Sequence, residues 1–145
     1  ERFVPAYMRL EVMDTPFGFK IINDTYNANP DSMRKGIEEL VRLKGNGRAI
    51  AVLGDMLELG SASESEHVGL GEFLSEKQID FVITYGEYGK HVLSGTRKRI
   101  EGVLAKTHDE AAEILKGLAK PGDLVLIKGS RGMKMENVIQ RLFER

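Results

Sequence analysis

The sequence has no cysteine and no tryptophan. Without thiols there is no disulfide framework, no thiol nucleophile and no zinc site built on thiolates. It also lacks an excess of either charge. Lys and Arg number 21 against 22 Asp and Glu, for a formal net charge of −1. That balance gives no electrostatic reason to bind nucleic acid. No apolar run approaches the roughly 18 residues that a membrane helix needs, so no membrane partner is expected. No apolar segment of a secretion signal opens the chain, which makes a cytoplasmic location the default. The chain begins at Glu1 rather than Met, as expected of a piece of a longer polypeptide. What remains is 145 residues, 41% hydrophobic and 30% charged. A domain of that size buries about 68–70% of the surface its unfolded chain exposes, so one core without staples suffices.

Periodicity gives the elements. Arg9–Met13 and Phe19–Asn23 read as strands joined by Asp14-Thr15-Pro16-Phe17-Gly18, a hairpin with Pro and Gly in its turn. Asn29-Pro30-Asp31 reads as a helix start, with Asn as N-cap and Pro at the first helical position. Met33, Ile37, Leu40 and Val41 then form one apolar stripe, and Gly45-Asn46-Gly47 stops the helix. Ala49–Leu53 is a buried strand, Met56–Ser65 a loop, and a helix from about Glu66 to Lys77 buries Leu70, Phe73 and Leu74. A strand at Phe81–Thr84, a short helix at Tyr85–Leu93 and a brief strand at Val103–Ala105 follow. Asp109–Leu118 is a helix, Leu124–Ile127 a fully apolar strand, and Met135, Val138, Ile139, Leu142 and Phe143 mark the last helix. Short, continuously apolar strands alternating with helices predict an α/β fold. Its mostly parallel, Rossmann-like sheet carries helices on both faces and an N-terminal antiparallel hairpin strand.

In such a sheet ligands bind outside the carboxyl ends of the strands, and three unusual segments stand there. Asn23–Pro30 is amide-rich and runs into a helix N-terminus, where free N–H groups favour an anion. Asp24 at the strand end is placed to accept from ribose hydroxyls. Asn29 alone reads as a cap, whereas Asp24, Tyr26 and Asn27 together read as functional. Gly54–Gly60 holds Asp55 and Glu58 beside Met56, Leu57 and Leu59, equally a cation site or one helical turn with its apolar side inward. Lys128–Lys134 combines two glycines, a Ser130 hydroxyl and the Arg131 fork, which grips carboxylate or phosphate. It is neither a Walker A nor a dinucleotide fingerprint. His67, His91 and His108 share no metal-ligand spacing and read as surface or capping residues, and Arg97-Lys98-Arg99 as a solvated turn.

Taken together, Asp24–Met33, Gly54–Gly60 with His67 downstream, and Lys128–Glu136 resemble the C-terminal domain of the Mur ligases. These are the ATP-dependent enzymes that build the peptidoglycan peptide. Relatives that add other amino acids carry a His-containing first segment. Ala28 and Asn29 stand there instead, which implies the member that adds D-alanyl-D-alanine to UDP-N-acetylmuramoyl-tripeptide. By the same resemblance Arg9 is the hinge arginine that reaches the ATP phosphates on closure. Asp24 contacts the nucleotide ribose, with Tyr26 and Asn27 in the same nucleotide-facing segment. Ser130 and Arg131 lie where the incoming amino acid or dipeptide is received. ATP and Mg2+ are then held mainly by a central domain, whose P-loop, magnesium-binding Glu and His and modified lysine this sequence lacks. Residues 1–8 correspond to the end of an interdomain linker and 9–145 to the domain. A monomer that is inactive by itself is expected.

Two rivals differ in kind. One is another ligase of the superfamily, of the folylpolyglutamate or muramyl-peptide-recycling type, which the His-free first segment disfavours. The other is a freestanding α/β regulatory module, such as a receiver domain with Asp55 as phosphoacceptor. That module needs an acidic pair after its first strand, and Asn23-Asp24 supplies one carboxylate.

Overall fold

The computed structural model describes residues 11–144. Strand β1 (Glu11–Asp14) turns back into β2 (Lys20–Asp24). The hairpin closes where both the N–H and the hydroxyl of Thr15 donate to the Phe19 carbonyl. Helix α1 (Pro30–Leu43), β3 (Ala49–Gly54), α2 (Ser63–Ser75), β4 (Phe81–Tyr85), α3 (Gly89–Gly95), β5 (Glu101–Ala105), α4 (His108–Leu118), β6 (Leu124–Lys128) and α5 (Glu136–Phe143) follow. The sheet order is β1-β2-β6-β3-β4-β5. Only β1 is antiparallel to its neighbour. The expected α/β sheet with its hairpin strand is therefore what forms.

Alternation along the central strands builds two cores. Ile22, Ala51, Leu53, Val82 and Leu126 face α1, α2 and α3, where Met33, Ile37, Leu40, Leu70 and Leu74 meet them. Ile21, Ile50, Val52, Ile83, Val125 and Ile127 face α4 and α5 and meet Ala111, Leu115, Val138 and Leu142. Each such Val, Leu, Ile or Met side chain contributes roughly 1.5–3 kcal/mol of burial free energy, and β6 supplies residues to both layers. Asn29 caps α1 as expected: its Oδ1 accepts from the Ser32 N–H at 2.8 Å, and the Ser32 hydroxyl accepts from the Asn29 N–H at 2.9 Å.

Several boundaries move. Helix α2 starts at Ser63, one turn before the expected Glu66, after a 3-10 turn at Gly60–Ala62. Tyr85 belongs to β4, because Gly86 at φ +122° turns the chain and delays α3 to Gly89. Phe73 packs against the first of the two cores but is half-buried rather than fully buried, with the Arg34 and Lys77 cations over its ring at 5.6 and 4.9 Å. Phe143 ends α5 at 44% exposure. Helices α2 and α3 cross closely: a Cβ on Gly71 would stand 2.0 Å from the Val92 carbonyl oxygen.

Candidate functional site

The three segments singled out in the sequence lie at the carboxyl ends of β2, β3 and β6, which are adjacent through β6. In register, Asp24 pairs with Lys128, and Lys128 with Leu53. Strand pairing therefore joins residues a hundred positions apart.

Lys128 is 2% exposed. Its Nζ donates to Asp24 Oδ2 at 2.7 Å and to the Asn27 carbonyl at 2.9 Å. Its stem runs beside Gly36, where a Cβ would come within 3.1 Å of Lys128 Cδ. That clearance explains a glycine inside α1, despite a cost of about 1 kcal/mol in helix propensity. The Asp24 carboxylate is thus held on one side by a buried cation while 20% of its side chain reaches solvent. Tyr26 is 40% exposed beside it, the Asn27 side chain is exposed, and Ala28 is buried.

Ser130 is buried at 7%. Its hydroxyl donates to the Ala28 carbonyl at 3.1 Å and accepts from the Leu57 N–H at 2.8 Å. Its own N–H donates to the Asp55 carbonyl at 3.0 Å. Arg131 stands differently. Its side chain is 64% exposed, and Nη1 donates to Glu136 Oε2 at 2.9 Å. An exposed pair of this kind is worth about 0–1 kcal/mol. The loop is fastened from the far side by His108, whose Nε2 donates to the Met133 carbonyl at 2.8 Å.

The middle segment is internal. Met56 is fully buried, and its N–H donates to His67 Nε2 at 3.0 Å. His67 Nδ1 lies 2.6 Å from the Ser63 carbonyl, so the ring carries its proton on Nδ1. His67 is wholly buried and stacks on Tyr88 at 4.8 Å, which corrects its reading as a surface or capping residue. The ring reads the loop backbone, a use that no sequence spacing reveals. Asp55 is 3% exposed and its Oδ1 accepts from the Tyr88 N–H at 3.1 Å. Burial pushes its carboxyl above the usual range, opposed by that hydrogen bond. A Cβ on Gly86 would lie 2.5 Å from this carboxylate. So enclosed, Asp55 does not present the accessible carboxylate that a receiver phosphoacceptor requires. Glu58 is set apart at φ +64°.

Two clefts of about 300 Å³ each meet at Asp24 and Tyr26. One lies toward Arg131 and Glu136, the other toward Asn27, Lys35 and Lys128. A larger cleft, about 810 Å³, opens at the starts of β4 and β5, among Phe81, Leu93, Lys98 and Ile100. It lies away from the carboxyl ends where α/β sheets hold ligands. Arg9 lies outside the described residues. Of the remaining site candidates, Asp24, Tyr26, Asn27, Ser130 and Arg131 converge on this one end of the sheet. The sequence reading included Lys128 in the Lys128–Lys134 loop but gave it no role of its own. Its only signal was a cation continuing an apolar strand, and strand register was needed to give it a partner.

Residues 8–131 match the family described as Mur ligase, glutamate ligase domain. The chain belongs to the Mur ligase family. Among family members, the UDP-N-acetylmuramoyl-tripeptide–D-alanyl-D-alanine ligase of Bacillus subtilis is 42% identical over 140 residues, covering 94% of this chain and 31% of that protein. The MurF ligase from Thermotoga maritima, solved in complex with ADP, has a TM-score of 0.80 at 33% identity. That match covers 98% of this chain and 31% of that one. A MurF from Acinetobacter baumannii gives 0.83 at 32% identity, again over 98% and 31%. This Mur ligase domain thus spans under a third of the length of these relatives.

Proposed function

We propose that this chain is the C-terminal domain of an ATP-dependent ligase that joins D-alanyl-D-alanine to UDP-N-acetylmuramoyl-tripeptide in peptidoglycan synthesis. The observation that carries this reading is the 42% identity to a ligase of that name over nearly the whole chain. The His-free Asp24–Asn29 segment stands at one end of the sheet with the Arg131 loop. In this reading residues 1–8 end a linker and 9–145 form the domain. The parent is a cytoplasmic monomer.

Asp24 and Tyr26, at the junction of the two clefts, fit a ribose and its neighbouring ring. The Asn27 segment leads to the N-terminus of α1. In this reading the triphosphate and Mg2+ are held mainly outside this domain. They belong to a central domain, with Arg9 reaching the phosphates on closure. Bound ATP supplies the phosphoryl group that activates the tripeptide carboxylate, and the dipeptide amine then forms the amide with release of ADP and phosphate. This domain's part is to hold and orient. Arg131 grips the dipeptide carboxylate, Ser130 shapes the loop that carries it, and closure excludes water from the activated acid.

The test is amide formation by the full-length enzyme with ATP, the UDP-linked tripeptide and D-alanyl-D-alanine. Phosphate release that depends on the dipeptide is expected, with little release when a single amino acid replaces it. Equal rates with a single amino acid would assign the domain to another ligase of the family.

A further inference from the structure

Three loops from three strands meet at one hydroxyl. Through Ser130 the structure connects Ala28, in the segment that faces the nucleotide, to Leu57, in the segment after β3. The same residue's backbone N–H reaches Asp55, so the middle segment is held twice. The next residue, Arg131, points outward into the cleft shared with Asp24 and Tyr26. The hydroxyl has one proton and two lone pairs. The proton is committed to Ala28 and one lone pair to Leu57, so its bonding capacity goes mainly to joining loops. Lys128 makes a second connection two residues earlier, to Asp24 and Asn27. The buried Lys128 and Ser130 thus tie Asp24, Asn27 and Ala28 to the strand and loop that lead to Arg131, by bonds of 2.7, 2.9 and 3.1 Å.

We infer that Ser130 is a positioning residue that couples nucleotide occupancy of the Asp24–Ala28 segment to the geometry of the Arg131 loop. Ordering one segment pre-orders the other, so each ligand lowers the ordering cost of its partner. Thermodynamic linkage makes that effect reciprocal. The coupling rests on the functional reading given above, whereas the physical tie does not. A methyl group in place of the hydroxyl leaves the Ala28 carbonyl and the Leu57 N–H without their partner. It leaves the Arg131 guanidinium in place.

Two measurements test this separately. In the 145-residue chain, Ser130→Ala should speed amide hydrogen exchange in both the segment around Ala28 and the segment around Leu57. Arg131→Ala should speed neither. Unchanged exchange at either segment in Ser130→Ala overturns the tie, whatever the protein's function. In the full-length enzyme, the KM for each substrate is measured at low and at saturating concentrations of the other. Saturating ATP should lower the KM for D-alanyl-D-alanine by about fivefold or more, and the reverse should hold. Ser130→Ala should bring that factor close to one, Ser130→Thr should restore it, and Arg131→Ala should raise the dipeptide KM while keeping it. A Ser130→Ala enzyme that loses only thermal stability and keeps the factor overturns the coupling. A wild-type enzyme that forms no amide with the dipeptide instead overturns the functional reading, and the exchange experiment still decides the tie.

Discussion

Lys128 and Asp24 form an ion pair across two adjacent parallel strands, with Nζ 2.7 Å from Oδ2. The lysine side chain is 3% exposed and the carboxylate side chain 20%. Burying two charges is costly, and the pair is tolerated because the Asn27 carbonyl accepts another lysine proton. Removing the cation leaves the carboxylate in a site built to be neutralised. Lys128→Met should lower the unfolding free energy by about 3 kcal/mol, read from urea denaturation. Asp24→Asn, which keeps an acceptor for Lys128, should cost less. A Lys128→Met protein as stable as wild type would show that the pair contributes nothing net.

Arg131 offers the opposite case, an exposed cation with a replaceable partner. Arg131→Ala should leave stability within about 0.5 kcal/mol of wild type. In the full-length enzyme it should raise the KM for D-alanyl-D-alanine by roughly tenfold or more, the worth of one charge-assisted contact. The KM for ATP should change much less. Equal changes in both would remove Arg131 from the dipeptide.

The crossing of α2 and α3 depends on two glycines. A Cβ on Gly71 meets the Val92 carbonyl oxygen at 2.0 Å, and one on Gly95 meets the Val68 carbonyl oxygen at 2.1 Å. Both obstacles are backbone, which cannot rotate away. Gly71→Ala should therefore destabilise by about 3 kcal/mol, although alanine is the better helix former. Gly117, with open space around its Cβ position, supplies the control: Gly117→Ala should stabilise by about 0.5–1 kcal/mol. Thermal melts of the two variants should shift in opposite directions.

Two buried carboxylates give opposite pH signatures. Burial by itself would raise the Asp123 carboxyl. Hydrogen bonds from the Arg48 guanidinium and from the Lys120 and Arg48 N–H groups outweigh it and hold the carboxyl below the ordinary value. The unfolded chain then binds its proton at higher pH than the folded one. The stability Asp123 contributes is present above the ordinary carboxylate range and is lost as pH falls through the folded value. Asp123→Asn should be less stable than wild type at neutral pH, with the difference shrinking on acidification. Asp55 is shifted upward, mainly by burial. Its contribution is present in acid and lost as pH rises through the folded value. The stability of wild type relative to Asp55→Asn should thus fall as pH rises above the ordinary carboxylate range. Parallel pH profiles for the two variants would contradict this assignment.

Local chemistry determined most of the fold. Leu124-Val125-Leu126-Ile127 is a buried strand on composition alone, Asn29-Pro30 starts a helix through hydrogen bonding and a fixed φ, and Pro16 with Gly18 turns the hairpin. The loops at the strand ends were legible as unusual for the same reason, since their residues do not suit ordinary turns. Tertiary structure decided how those loops relate. Strand order brings β6 between β2 and β3, and only that order gives Lys128 its carboxylate and Ser130 its two partners. It likewise decides that His67 is a buried acceptor for a backbone N–H and that Asp55 is enclosed. Which residue types stand at each strand end is local information, readable along the chain. Which of them face each other depends on register and crossover between strands far apart in the chain, and no local periodicity encodes that.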